Sequence, residues 1–295
     1  MRDFTVLMIA AMLAAPAIAQ HNPAGHGAGP AAQHPAAREW TRLPVLAPPM
    51  SRGGERAAAV LRPLGIEAAE VIVFAAGGPD ERRRVAYPVV DGGARIEAAA
   101  PKVGNYHWVL ARQELETEVR VASTARYFSN PGPAPTELLK VAKHELEIVP
   151  QPLPREHSRY REAEEWRFQV RWNGAPAAKQ KVVLETEYGS RSTYVSDGDG
   201  MIVALFPRDF RELDGRPDAD QHMSGPQTAM FVLGTQRDEG GKHYVTAFNH
   251  TYSAAPERTH SLGWGATFGL IGMVAALPLL RRRTATADFP EKKNA

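Results

Sequence analysis

Large apolar and polar residues alternate strictly from Trp166 to Trp172. Trp166, Phe168, Val170 and Trp172 fall on one parity, and Arg167, Gln169 and Arg171 on the other. Successive strand side chains point to opposite faces, so this spacing predicts a strand with one apolar face. Asn173-Gly174 reads as the turn that closes it, and Val182-Val183-Leu184 begins a second β-rich run. Asp197-Gly198-Asp199-Gly200 is a further turn, followed by an apolar strand from Met201 to Phe206. Upstream, His144, Leu146 and Ile148 share one strand face, and Pro150 to Pro154 stops that strand. After a polar, turn-rich loop from Asp209 to Gln227, Thr228 to Gly234 and Lys242 to Tyr252 predict the closing strands.

A second group of short strands lies nearer the N-terminus. Val71-Ile72-Val73-Phe74 is broken by Gly77-Gly78-Pro79-Asp80. Arg84 to Val90 and Ala94 to Ala98 are expected to pair as a hairpin through Asp91-Gly92-Gly93. In the run from Asn105 to Ala111, Tyr106, Trp108 and Leu110 share one face, with His107 and Val109 on the other; Glu114 to Ala122 alternates in the same way. Ser129 to Pro135 is a proline-rich break between the two groups. The expected fold is therefore all-β, with two immunoglobulin-like β-sandwich domains, residues 55–128 and 143–255, separated by a linker over 129–142. One elongated sandwich with a long loop is the alternative.

The two ends carry apolar segments of a different kind. Phe4 to Ala15 follows a short charged start, and Ala17-Ile18-Ala19 is a small-residue cleavage motif, so residues 1–19 read as a secretory signal cut between Ala19 and Gln20. Residues 20–54 are rich in Ala, Pro, Gly and His without hydrophobic periodicity, which predicts a flexible tail. Leu262 to Leu280 is apolar throughout and is followed at once by Arg281-Arg282-Arg283. Its length suits the hydrocarbon core, and the basic flank marks the cytoplasmic end, so 262–280 is expected to span the inner membrane as one C-terminal transmembrane helix. That leaves 281–295 as a cytoplasmic tail and the domains in the periplasm, a single-pass type I arrangement. Gly265, Gly269 and Gly272 supply small-residue spacing for helix-mediated self-association.

Composition narrows the chemistry. A net charge of +2 gives no argument for nucleic acid, and the absence of cysteine excludes disulfides, thiolate metal sites and cysteine nucleophiles. With 25 glycines and 24 prolines, the chain suits many short strands and turns. No pattern for a catalytic serine, a zinc protease or a nucleotide-binding loop occurs, and no nucleophile–base or carboxylate pair stands out, so a non-enzymatic role is expected. The acidic run Glu162, Glu164 and Glu165 reads as solvated surface.

The ten histidines are the remaining candidates for chemistry, since imidazole is a common ligand for Ni, Cu and Zn. His21, His26 and His34 lie in the tail, and His21 would be the second residue after cleavage. An amine, an amide and an imidazole can there gather around Ni²⁺ or Cu²⁺ in a square plane, unless Gln20 cyclises and removes the amine. A solvated linker that merely contains histidine is the alternative. His107 and His144 are the candidates within the strands.

Lys143-His144-Glu145-Leu146-Glu147-Ile148-Val149-Pro150, then Phe168-Gln169-Val170-Arg171-Trp172-Asn173-Gly174-Ala175-Pro176, then Tyr194-Val195-Ser196-Asp197-Gly198-Asp199-Gly200 form an ordered set of segments. Over roughly residues 55 to 255 the chain resembles the bacterial DUF4198 family. The resemblance implies a periplasmic component of nickel or cobalt uptake, anchored by one C-terminal helix. The expected function is thus capture or delivery of nickel or cobalt (copper as an alternative ion) to metal transporter subunits, with His21, His26, His34, His107 and His144 as candidate ligands. The alternative is a non-catalytic cell-envelope module that binds another envelope protein.

Overall fold

The computed structural model describes residues 40–48, 58–100, 105–128, 134–155, 159–210, 228–255, 266–273 and 276. Described in chain order, the strands are β1 (Val45–Ala47), β2 (Ala58–Leu64), β3 (Glu70–Ala75), β4 (Arg84–Pro88), β5 (Ala94–Glu97), β6 (Asn105–Glu114) and β7 (Glu118–Phe128). A short helix, α1 (Thr136–Lys140), precedes β8 (Leu146–Pro150), β9 (Tyr160–Arg161), β10 (Glu165–Trp172), β11 (Ala175–Pro176) and β12 (Lys181–Thr186). The series ends with β13 (Arg191–Val195), β14 (Met201–Leu205), β15 (Thr228–Glu239) and β16 (Lys242–Ser253). The chain is mostly β-sheet, as its alternating pattern predicts.

The two groups of strands are not separate sandwiches. β16 pairs in parallel with β7, from His243 opposite Glu118 to Phe248 opposite Ser123. This joins both groups into one sheet ordered β13-β12-β15-β16-β7-β6-β3-β4, to which β9 adds beside β16. The cause lies in β7 and β16. Each carries a run of five consecutive buried residues, so both of their faces need cover.

That cover comes from two smaller sheets on opposite faces. On one face, Tyr106 and Trp108 of β6, Phe248 of β16, Phe231 and Leu233 of β15 and Leu184 of β12 pack against Ile148, Phe168, Val170 and Ile202 of the β8–β10–β14 sheet. On the other, Val71 and Val73 of β3, Val109 and Ala111 of β6 and Ala122 of β7 pack against Leu46, Leu61 and Ile96 of the β1–β2–β5 sheet. Odd and even residues of β6 thus belong to different cores, and the shared sheet is the middle layer.

The hairpin expected over 84–98 is corrected in the same way. Asp91 and Gly92 do make a tight turn with positive φ, and Val90 bonds Gly93. Beyond it, β4 pairs with β3 in the middle sheet whereas β5 pairs with β2, so the turn carries the chain between layers. Elsewhere the expected turns form. Asn173-Gly174 has positive φ at both residues, and Asp197 Oδ1 accepts the N–H groups of Asp199 and Met201 at 3.0 and 2.8 Å. Residues 266–273 are helical, with Phe268, Leu270, Ile271 and Met273 exposed. Among the described residues no helix is long and apolar enough to cross a membrane, and the rest of the expected span over 262–280 lies outside them.

Candidate binding site

Residues of the segment from Ala134 to Arg155 line a recess together with Tyr106. Buried Leu138 and Leu139 are the apolar anchors of α1. Helix C-termini leave carbonyls without partners, and here two cations supply the missing donors. Arg171 donates Nη1–H to Lys140 O at 2.9 Å and Nη2–H to Leu139 O at 2.6 Å. Lys143 Nζ donates to Leu138 O and Val141 O, both at 2.7 Å. Positive charge at this end also opposes the helix dipole.

Pinned in this way, α1 stands apart from the loop after β8, which carries a cis Gln151–Pro152 bond. Between them lies a cavity of about 790 Å³. Pro135, Leu139, Pro152 and Leu153 form much of its wall, Tyr106 reaches it from the middle sheet, and Lys140 and Arg155 bring positive charge to the lining. Burial pushes the Tyr106 hydroxyl up to about 12, so it remains a neutral phenol at physiological pH.

Behind the cavity is a group of buried ionisable residues. Glu147 Oε1 accepts the Lys143 backbone N–H at 2.9 Å, and Glu147 Oε2 lies 3.9 Å from Arg171 Nε. Burial raises the Glu147 carboxyl and lowers the Arg171 guanidinium from their ordinary values. Burial likewise depresses Lys143 to about 8, and its ammonium rests 5.1 Å from the centre of the Trp108 ring. At the surface, Arg112 bonds Glu145 and Glu114, and Lys242 bonds Glu114, which links β6, β16 and the approach to β8. Each of these groups serves to fasten one element to another.

His107 lies in β6, and His144 lies just before β8. His107 is buried at the edge of the Phe128 ring, and its Nε2 accepts the Ala99 N–H at 3.0 Å. The lone pair that a metal would need is therefore engaged. His144 lies just before β8 rather than in it; part of the residue reaches the surface, but both ring nitrogens are sealed from water and have no hydrogen-bond partner. Burial takes its imidazole down to about 3. The structure does not bring His107 and His144 together as ligands, and among the described residues no group of three His, Asp or Glu side chains could hold a metal ion. His21, His26 and His34 lie outside the described residues.

Sequence parity places Arg171 on the polar side of its strand, yet the side chain is buried because α1 covers that side. The acidic run 162–165 is likewise only partly surface. Glu162 is buried and accepts the backbone N–H groups of Phe210 and Ala255 at 3.3 and 3.1 Å. No local signal reveals such roles, since the segments that close over these side chains are distant in sequence.

No family model and no curated protein matches this chain. Among solved structures, one described as "Ca2+-stabilized adhesin helps an Antarctic bacterium reach out and bind ice" aligns with 68% of this chain and 44% of its own, at 11% identity and a TM-score of 0.25. The chain thus spans less than half of that protein, and a likeness at this score carries no argument.

Proposed function

We propose that this protein is a non-catalytic binding module of the cell envelope. It is held at the periplasmic face of the inner membrane by the helix expected over 262–280, and it receives apolar side chains of a partner envelope protein in the cavity beside α1. The observation that carries this reading is the cavity itself, of about 790 Å³ with mainly apolar walls, beside a helix whose last carbonyls Arg171 and Lys143 hold in place. Recesses of this size and lining suit burial of apolar groups with a few polar contacts for orientation. Lys140 and Arg155 favour a partner segment with acidic flanks.

The test is site-specific photo-crosslinking in intact cells from Thr136, in the cavity lining, with Val203, exposed on β14, as the reference position. A discrete partner product from Thr136 is expected, and Ala134→Trp, which fills the recess, should remove it. Equal labelling from both positions would sink the proposal.

The second reading, capture of nickel or cobalt for a transporter, rests on the tail histidines His21, His26 and His34 and on the DUF4198 resemblance. Calorimetry of the mature chain with Ni²⁺, Co²⁺ and Cu²⁺, beside a form beginning at Glu39, separates the two. Binding tighter than about 10 µM that disappears with the tail favours metal capture; no binding in either form removes it.

A further inference from the structure

The middle sheet contains a split where β16 changes partners. Its pairing with β7 ends at Phe248 opposite Ser123, and its pairing with β9 begins at Tyr252 opposite Tyr160. Between these points Asn249, His250 and Thr251 pair with no strand on that side among the described residues. The His250 imidazole bonds the Ala125 backbone across the opening, and Thr124 and Asn249 add further contacts. Thr124 Oγ1 donates to Asn249 O at 2.7 Å, and the Asn249 amide pairs with the β1 backbone, accepting Leu46 N–H at 2.8 Å and donating to Leu46 O at 2.9 Å.

A small cavity of about 80 Å³ remains in the split, large enough for a few waters or one small organic anion. Its walls include Leu46, Leu61 and Met230, which are apolar, and Arg126, which among the described residues is the one charged side chain in the lining. Arg126 Nε is sealed from water without a hydrogen-bond partner. Burial lowers its pKa, and no carboxylate contributes an opposing effect. The guanidinium makes a cation–π contact with Phe128 at 6.0 Å. On the facing wall, the His250 imidazole is depressed by burial and, further, by the charge of Arg126, so the two groups share one local field. A half-buried guanidinium with no counter-charge among the described residues is costly, and a bound anion would offset that cost.

We propose that this split binds a short-chain monocarboxylate, such as acetate or propionate, with its carboxylate on the Arg126 guanidinium and its alkyl group against Leu46, Leu61 and Met230. One guanidinium balances one negative charge, and its planar fork matches a carboxylate in two parallel N–H···O bonds. A phosphate dianion would leave oxygens facing apolar wall, and chloride would use neither the fork nor the wall. The site is independent of the cavity beside α1 and shares no residue with it.

Calorimetric titration of the full chain in detergent tests this, using acetate, propionate and butyrate, with chloride and phosphate as reference anions at constant ionic strength. Saturable one-to-one binding of a monocarboxylate is expected, at least tenfold weaker in Arg126→Gln and partly retained in Arg126→Lys, which keeps the charge but loses the fork. Carboxylate binding should also raise the His250 pKa measured by NMR, because it neutralises the neighbouring guanidinium. Absence of saturation up to about 10 mM, equal affinity for chloride, or affinity unchanged in Arg126→Gln with native circular dichroism would each overturn the proposal.

Discussion

Arg171 Nε lies 3.9 Å from Glu147 Oε2 on neighbouring antiparallel strands, with side chains 6% and 0% exposed. The same guanidinium bonds two carbonyls at the end of α1, so one side chain joins the β8–β10 pair to the helix that walls the cavity. Arg171→Met removes the guanidinium beside Glu147 and leaves that buried carboxyl with the Lys143 backbone N–H and the Lys143 charge as its compensation. Loss of one partner of a buried pair costs about 3–5 kcal/mol, and urea unfolding of the purified chain should show a loss of that order. Glu147→Leu combined with Arg171→Met should recover much of it. A single-variant loss below about 1 kcal/mol would mean that the pair does not hold this region together.

His144 and Lys143 give opposite ends of the pH profile. The folded imidazole sits at about 3 against an ordinary 6.5, so the native state prefers it neutral. Stability from this group is complete above pH 6.5 and is lost as pH falls toward 3, on the order of 5 kcal/mol in full. Lys143, at about 8 against 10.5, adds stability as pH rises through that window, because the unfolded chain then holds the extra proton. His144→Leu should stay within about 1 kcal/mol of the parent at pH 7, since neither nitrogen has a hydrogen bond to lose. Its stability should also fall less between pH 7 and 4. Parallel profiles for variant and parent would show that the ring is not buried neutral.

What was legible in the sequence follows from these contrasts. Parity located the strands and faces, because alternation is local: Phe168 and Val170 are core on β10, and Tyr106 and Trp108 share a core distinct from that of Val109. The joining of the two groups was not legible, since a parallel contact such as Ala247 opposite Ala122 leaves no short-range mark. The unbroken apolar run of β15, Ala229 to Leu233, carries a signal of this kind, since a strand apolar on both faces requires two covering layers. The recess beside α1 was hidden for a similar reason. A proline-rich break reads as linker, whereas Arg171 and Lys143 turn part of it into a fixed wall.

Gly200 closes the Asp197 turn with φ of +71°, and a Cβ added there would lie 2.5 Å from Val170 O and 3.0 Å from Ala177 N. Both are backbone atoms, and Val170 N and Ala177 N already make hydrogen bonds in this region, Val170 N donating to Gly200 O and Ala177 N to Val170 O. Neither strand can retreat without loosening the β10–β14 pairing. Gly200→Ala should therefore cost more than the ordinary left-handed penalty of about 1 kcal/mol, in the range of about 2–4 kcal/mol. Gly240→Ala, at φ +59° with nothing near its Cβ, should lose only the smaller amount. Equal midpoint shifts for the two variants would show that the close approach to Val170 is not felt.

Asp209 gathers three hydroxyls from three different places in the fold. It accepts Thr186 Oγ1 at 2.8 Å, Ser190 Oγ at 2.5 Å and the Tyr252 hydroxyl. Thr186 and Tyr252 are both fully buried, so their donors have no water to turn to if the carboxylate is removed. Burial, with the Asp209 hydrogen bond next, raises the Tyr252 pKa, which keeps the phenol a donor. Asp209→Ala orphans all three donors and should cost about 2–4 kcal/mol, because hydrogen bonds to a charged acceptor outweigh neutral ones. Asp209→Asn keeps one oxygen but turns an amide donor toward a hydroxyl, so its loss should be intermediate. Tyr252→Phe gives up the hydroxyl's bonds to Asp209 and Thr186 but keeps the ring, and should lose about 1–2 kcal/mol. Thermal unfolding of the three variants should rank them in that order, and a Tyr252→Phe loss equal to that of Asp209→Ala would mean that the Tyr252 hydroxyl alone accounts for the hold of Asp209, with Thr186 and Ser190 adding nothing.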